Sequence, residues 1–143
     1  MALDRVKFDE LGRFDARLPF GWEATEICWR AWLRGWRSVC VPNAQVFHKV
    51  GATARTDAAT DIVLRGVVGG RLLFATKHLP VPIALATWTR TIAGSVVHPD
   101  ARKLRVIADY ARLVPALVRE RKDLYGRRSP IRQHFERMLA VGK

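Results

Sequence analysis

The first clear pattern of hydrophobic and polar positions along the chain is that of an amphipathic helix, and it lies in the first third of the sequence. Ile27, Cys28 and Leu33 supply the apolar side of a helix predicted over residues 23–34. Gly35 follows as a stop signal, because glycine is favoured just beyond the last helical turn. We therefore expect a helix of about three turns here.

The next residues change to a pattern that is typical of strands. Residues 36–41 are rich in β-favouring side chains and are closed by Pro42, and residues 44–49 alternate strictly between apolar and polar. One face of this second run contains Ala44, Val46 and His48. A helix followed by two strands predicts an α/β unit, which we expect to end near residue 80.

Small and polar residues separate this unit from a second helical pattern. Residues 51–60 are typical of a loop, and residues 61–79 predict an amphipathic helix. Pro80 and Pro82 end that helix, since proline lacks the backbone donor and clashes with the preceding turn.

The remainder of the chain predicts two further helices. Residues 83–97 are strongly apolar, residues 98–100 break the pattern, and residues 101–125 predict a long amphipathic helix. The apolar stretch is shorter than the roughly 20 residues that a bilayer crossing needs, and it carries Arg90 near its middle. It therefore predicts either an in-plane membrane helix or a helix packed within a domain.

Positive charge is concentrated at the end of the chain. The formal net charge is +12, and residues 101–143 contain twelve Lys and Arg but four acidic residues. Nucleic acid, an anionic membrane and a solvated helix all remain compatible with such a tail, because the same Coulomb attraction acts on each. Residues 119–128 offer only Tyr125 for base stacking and no nucleic-acid-binding motif occurs, which disfavours nucleic acid. An anionic inner-membrane surface, contacted through residues 101–143, is the partner that we retain.

Cysteine usage and the first residues indicate the compartment. Cys28 and Cys40 have no Cys-x-x-Cys spacing, which fits a reducing environment. Residues 1–14 are charged throughout and lack the apolar core of a signal peptide. We therefore expect a protein of the cytoplasm, located either in solution there or peripherally on the inner face of the cytoplasmic membrane.

Four short motifs occur in a fixed order between residues 14 and 49. They are Phe14-Asp15, the run 21–30 (GWEATEICWR), Gly35-Trp36-Arg37 and the run 41–49 (VPNAQVFHK). Their order and spacing resemble the closing part of the catalytic domain in family-two glycosyltransferases of the rhamnosyltransferase-like branch. The resemblance implies an α/β fold, the C-terminal portion of a GT-A domain, followed by an amphipathic α-helical tail. Residues 1–80 would be the C-terminal part of the catalytic domain, and residues 81–143 the basic helical tail.

The resemblance also implies an activity. Such an enzyme transfers a sugar, with inversion, from a nucleotide-sugar donor to a cell-surface glycan or a lipid-linked acceptor, and the complete enzyme holds a divalent metal, Mg or Mn, on the diphosphate. No donor-binding half with its Asp-x-Asp motif lies upstream of Leu3. We therefore expect a fragment or a split subunit that binds no cofactor alone. The alternative is a non-catalytic module, derived from a glycosyltransferase, that docks on a membrane or a partner.

The resemblance places the catalytic candidates at the start of the first predicted helix. Inverting transfer needs a base for the acceptor hydroxyl, and Ala24 occupies the position of the family's catalytic Asp. Glu23 beside it, and Glu26 at the family's second acidic position, are therefore the catalytic candidates. Each has a structural alternative, because Glu23 favours the dipole of the first helical turn and Glu26 is spaced i,i+4 from Arg30.

The other candidates would contact ligands or a metal. Trp22, Arg30 and Trp36 are candidates for acceptor or diphosphate contacts, since indoles stack on sugars and guanidinium groups bind phosphate. His48 matches a position that often binds the metal, a role that requires the Asp-x-Asp half. A packed or solvated position is the alternative for each side chain.

Overall fold

A computed structural model of the chain describes residues 2–47 and 57–125. Its elements are, in order, α1 Arg5–Glu10, α2 Glu23–Leu33, α3 Asp57–Leu64, a π-helical segment Arg65–Gly69, α4 Gly70–His78, α5 Val81–Val97 and α6 Ala101–Tyr125. The regular structure of these two ranges is entirely helical, with no strand and therefore no sheet. The predicted α/β fold of a GT-A domain is wrong.

The two predicted strands show why the prediction failed. Residues 36–41 form no ladder with any described segment, and the side chains of Val39 and Val41 are exposed. Of the second run, residues 44–47 are irregular, and residues 48–49 lie outside the described residues. Strand propensity reports how well a side chain fits a pleated, half-buried surface, and it cannot supply the neighbouring strand.

The first predicted helix is confirmed as α2. It ends at Leu33, and the chain leaves it through Gly35, whose φ of 76° lies in the left-handed region. α2 buries Glu26, Ile27 and Leu33 against the rest of the molecule. An acidic residue is thus among the most deeply buried side chains of this amphipathic helix, with Glu26 at 0% exposure.

The helix predicted over residues 61–79 is present, but it begins earlier and includes the π-helical segment. α3, this segment and α4 run without a break. Gly66 lies against the backbone of Phe20, and Gly69 lies against the ring of Tyr110, so closely that a Cβ on either glycine would overlap its neighbour. The glycines therefore allow two other parts of the chain to pack directly on this helix.

α5 and α6 confirm the helices predicted over residues 83–97 and 101–125, separated by the predicted break. α4 and α6 supply most of the core, which consists of Leu18, Leu72, Leu73, Val106, Ile107, Tyr110 and Leu117. This core takes side chains from both sides of residue 80. The division into residues 1–80 and 81–143 stays a prediction.

α5 lies antiparallel to α6. The start of α5 shares a groove with the end of α6, where Leu85 and Tyr125 are both lining residues. The second half of α5 shares a different pocket with the start of α6, where Thr91 and Lys103 are both lining residues. The inner face of α5 is fixed near its middle, because Trp88 Nε1 donates a hydrogen bond of 2.9 Å to the hydroxyl of Thr76.

Candidate functional site

Glu26, a predicted catalytic residue, lies at the centre of a buried charge network. Its carboxylate accepts hydrogen bonds from Arg30 Nε at 2.8 and 2.9 Å, within the same helix. The end of α4 supplies two more partners, with Lys77 Nζ at 3.1 Å and His78 Nε2 at 3.2 Å from Oε1. The carboxylate therefore joins α2 to α4.

The network continues to the N-terminal segment and to α6. Lys77 Nζ also lies 3.2 Å from Oδ2 of Asp15, and Arg17 binds the same oxygen at 2.6 Å. The Arg17 guanidinium then reaches α6, where it lies 2.7 Å from Oε1 of Glu120. Three carboxylates thus face Arg17, Arg30 and Lys77, and the six charges balance. Glu26, Asp15 and Lys77 are the buried members of this set, whereas Arg17 and Glu120 are partly exposed. The buried charges are tolerated because each is paired and hydrogen-bonded.

The protonation states follow from this arrangement. Burial alone raises the pKa of Glu26, but hydrogen bonds from His78 and Arg30 and the Lys77 charge outweigh it and lower the pKa to about 2. Burial also raises the pKa of Asp15, yet its bonds with Arg17 hold that pKa well below the usual range. Burial lowers the pKa of His78. At neutral pH both carboxylates are ionised and the imidazole is neutral.

Because the His78 imidazole is neutral, the direction of each hydrogen bond in a chain that ends on Glu26 is determined. Because an ionised carboxylate only accepts, His78 Nε2–H donates to Glu26, and Nδ1 accepts from the Tyr125 hydroxyl at 2.9 Å. The Tyr125 oxygen in turn accepts from Trp29 Nε1–H at 2.8 Å. Trp29 also packs on the ring of Phe74, with ring centroids 5.6 Å apart. This chain of hydrogen bonds joins α2, α4 and the last described turn of α6.

Arg30 connects α2 to the segment that precedes it. Besides binding Glu26, its guanidinium donates to the backbone oxygens of Leu11 and Arg13. Gly12 and Arg13, in the turn that carries these carbonyls, both have positive φ. Every described hydrogen bond of Arg30 thus holds the protein together. Its predicted diphosphate contact stays a prediction.

The two tryptophans predicted to contact ligands lie apart from each other. Trp22 packs on Phe74, with ring centroids 5.3 Å apart, and lies against Gly70. Trp36 lies beyond α2, where Lys7 Nζ is 5.5 Å from its ring centroid and Arg34 also lies over the ring. The structure does not gather the predicted contact residues around one cavity. Their ligand roles stay predictions.

The start of α2 holds the remaining catalytic candidate. Ala24 is exposed and offers no carboxylate, whereas Oε2 of Glu23 is buried and has no hydrogen-bond partner among the described residues. His48, the predicted metal ligand, lies outside the described residues. In residues 2–47 and 57–125, no group of three or more His, Cys, Asp or Glu side chains is arranged to hold a metal ion.

Sequence reasoning missed most of the partners of Glu26. Lys77 and His78 lie near the end of a largely apolar stretch that precedes Pro80, but charged and polar residues are usually exposed, so nothing local in the sequence indicates that these two are buried. Arg17 and Glu120 are separated by 103 residues and carry no local signal of their contact. Such a pairing becomes visible only with the fold.

Two concave sites flank α5. A groove of about 680 Å³ is lined mainly by apolar side chains of α5 and α6, with Arg121 and Lys122 among its residues. A pocket of about 400 Å³ lies between α4, α5 and the start of α6 and is lined by Val68, Arg71, Thr87, Arg90, Thr91 and Lys103. The first site is therefore apolar and the second cationic.

Comparison of the chain with protein-family models, with curated proteins and with solved structures gives no match.

Proposed function

We propose that this chain is a non-catalytic docking module that binds the anionic face of a membrane through α5 and the unpaired cations around it. The observation that carries the proposal is the apolar outer face of α5. This face exposes Ile83, Leu85, Ile92, Val96 and Val97. Val96 and Val97 are 71% and 70% exposed, and contiguous exposed apolar residues of this kind mark interaction sites, unlike apolar residues scattered singly.

In an ordinary surface helix the apolar face points inward, whereas in α5 the outer face is apolar and the inner face carries hydroxyl groups. Its inner face carries Thr87, Thr91 and Ser95, and each hydroxyl donates to the carbonyl four residues earlier. Their polar groups are thus satisfied within the helix, so they can face the interior. The outer face carries a single charged side chain, Arg90. Such a helix can lie in the plane of a membrane interface.

Within the described residues, no helix combines the length and the apolar composition that crossing a membrane requires.

Charge distribution favours an anionic surface over another apolar protein face. On α6, the carboxylates of Asp109 and Glu120 are already bound by arginines. Arg105, Arg119 and Lys122 of the same helix are exposed, and their side chains form no ion pair among the described residues. Each cation near an anionic lipid surface contributes about 1 kcal/mol of attraction. The excess positive charge therefore complements an acidic membrane face.

The buried network also supports a non-catalytic role. Glu26 is fully engaged by Arg30, Lys77 and His78, and its pKa of about 2 leaves it a poor base. Ala24 has no carboxylate at the position where the family resemblance expects the base. The part of α2 that resembles a catalytic motif thus holds helices together.

Vesicle flotation tests the docking proposal. We expect the chain to float with vesicles of phosphatidylcholine mixed with phosphatidylglycerol, and not with phosphatidylcholine alone, at low salt. Serine at both Val96 and Val97 should abolish flotation. Serine at both Val39 and Val41, which are similarly exposed but lie far from α5 in sequence, is the matched control and should float like the unaltered protein. Equal losses in the two pairs, or no flotation of the unaltered protein, would refute the proposal.

A specific observation favours a second candidate, the glycosyltransferase activity that the sequence motifs suggest. The buried Oε2 of Glu23 has no described partner, and a buried polar atom left unpaired costs about 1–3 kcal/mol. A group supplied by a donor-binding half or by an acceptor would remove this cost. Joining the chain to the donor-binding half of a family-two enzyme tests this candidate, with sugar transfer from a nucleotide-sugar donor to a lipid-linked acceptor as the readout. Glu23→Gln should lower transfer and Ala24→Asp should raise it; if neither changes it, the catalytic candidate is eliminated.

A further inference from the structure

A pocket of about 400 Å³ gathers cations from three helices. Arg71 comes from α4, Arg90 from α5 and Lys103 from α6. Arg71 and Arg90 are exposed, whereas Lys103 is half-buried, with its Nζ in the vicinity of Gly94. No carboxylate is among the described residues that line the pocket.

These three cations lack partners in the part of the chain that the structure describes. None of their side chains forms an ion pair or hydrogen bond there. The nearest acid in sequence to Lys103 is Asp100, whose carboxylate already binds the backbone nitrogen of Arg102 at 2.8 Å. Like charges that share a pocket without a counterion repel one another. An anion bound between them would remove that repulsion.

The chemistry of the lining selects the class of anion. Guanidinium groups present paired donors that match phosphate oxygens, and an ammonium group adds a point charge. The hydroxyls of Thr87 and Thr91 already donate to backbone oxygens, so recognition rests on the three cations. Three positive charges suit a dianion better than a singly charged carboxylate or phosphodiester.

We propose that Arg71, Arg90 and Lys103 form a binding site for a phosphate monoester. The group comes either from a lipid that ends in a phosphate monoester or from a soluble phosphate compound. The site goes beyond the membrane docking proposed above, since the same cations bind a soluble phosphate without any lipid. Arg90 also belongs to the outer face of α5, which places the pocket within reach of a lipid head group.

Titration calorimetry with inorganic phosphate, at constant ionic strength set by chloride, tests whether the site binds a soluble phosphate. Arg71→Gln and Lys103→Gln should each weaken binding by about tenfold, because each removes charge-assisted hydrogen bonds. Arg105→Gln and Arg119→Gln remove the same charge from exposed positions outside the pocket and should leave the affinity within about twofold. Lys103→Arg should retain binding, and thermal melting checks that each variant is folded.

Vesicles of equal surface charge test whether the site binds the phosphate monoester of a lipid. One set contains phosphatidic acid, a phosphate monoester, in phosphatidylcholine, and the other contains phosphatidylglycerol, a phosphodiester. Preference for phosphatidic acid that Arg71→Gln abolishes and Arg37→Gln, at an exposed arginine outside the pocket and outside α5 and α6, retains would identify a lipid source, and binding of inorganic phosphate alone would identify a soluble one.

Two outcomes separate this proposal from docking. A chain that binds inorganic phosphate but no vesicle keeps the pocket and refutes docking. A chain that binds both vesicle types equally, and binds no inorganic phosphate, refutes the pocket and keeps docking. Equal losses in the pocket variants and in the α6 controls would also overturn the site.

Discussion

The ammonium nitrogen of Lys77 lies 3.1 Å from Oε1 of Glu26, with the lysine side chain 8% exposed and the glutamate fully buried. The pair joins the second half of the long central helical run to α2. Its strength comes from its surroundings, because Asp15 and Arg30 balance the remaining charges. Breaking a buried pair on one side leaves the other charge uncompensated.

Lys77→Met should therefore destabilise the protein strongly. We expect a loss of about 3 kcal/mol in the free energy of unfolding, at the low end for a broken buried pair, because Arg30 stays on Glu26. Urea denaturation followed by tryptophan fluorescence measures this. Lys122→Met, at an exposed lysine, is the control and should change stability by less than about 0.5 kcal/mol. Similar effects of the two substitutions would contradict the network.

Stability should fall as the solution becomes acidic, in two stages. His78 has a lowered pKa when folded, so the unfolded chain takes up a proton near the ordinary value of 6.5 that the folded chain rejects. The contribution of His78 to the free energy of unfolding is therefore fully present above pH 6.5 and is lost as the pH falls below that value. Glu26 adds a second loss below its ordinary value of 4.5, continuing toward its folded pKa of about 2.

Urea midpoints between neutral pH and about pH 5 report mainly the histidine contribution, because over that range both carboxylates are ionised in the folded chain and largely ionised in the unfolded chain, whose ordinary values are 3.8 and 4.5. His78→Asn should flatten the pH dependence. His98→Asn, at an exposed histidine, should keep it. If the two variants retain the same slope, the neutral buried state of His78 is wrong.

Gly69 of the π-helical segment and Gly94 of α5 should differ in their tolerance of alanine. Gly69→Ala places a methyl group into the ring of Tyr110, and we expect a loss of about 1–3 kcal/mol from overpacking. Gly94→Ala meets only Lys103 Nζ, at 3.9 Å, and should gain about 0.5–1 kcal/mol because alanine favours a helix. Thermal melting measures both changes. A stable Gly69→Ala protein would show that α6 does not pack against this helix.

Tyr125→Phe should change the titration of a neighbouring residue. The hydroxyl donates to His78 Nδ1 and accepts from Trp29, so its loss leaves Nδ1 free to take a proton. We expect the pKa of His78 to rise, as followed by NMR of the imidazole nitrogens. Tyr110→Phe removes a hydroxyl that donates to the backbone oxygen of Arg17, and it should leave that pKa unchanged. An unchanged pKa in Tyr125→Phe would show that Nδ1 has another partner.

Helices were predictable from the sequence where the signals were local. α6 begins where predicted because residues 98–100 break the pattern before it, and α2 ends beside Gly35 as expected. Residues 36–41 and 44–49 were misassigned, because a strand depends on a partner that a local pattern cannot reveal. α1 was missed, although the Asp4 side chain caps it by accepting from the backbone nitrogen of Lys7.

The candidate site was predictable only in part. The spacing of Glu26 and Arg30 indicated their ion pair, which the structure shows. The contacts of Glu26 with Lys77 and His78 span about fifty residues, and no periodicity connects them. The cations of the phosphate pocket come from three helices and meet only when those helices pack.

The guanidinium of Arg17 bridges Asp15 and Glu120, two carboxylates at opposite ends of the described chain. During synthesis on the ribosome, α6 is the last of the described helices to emerge, so until then Arg17 and Lys77 lack Glu120, one of the three carboxylates that they contact. Until Glu120 arrives, the cations around Asp15 outnumber the acids, and Tyr125 is not yet present to complete the hydrogen bonds of His78 and Trp29. The protein therefore reaches its final form only after α6 has left the exit tunnel, and a nascent chain held short of that point would expose the network to water.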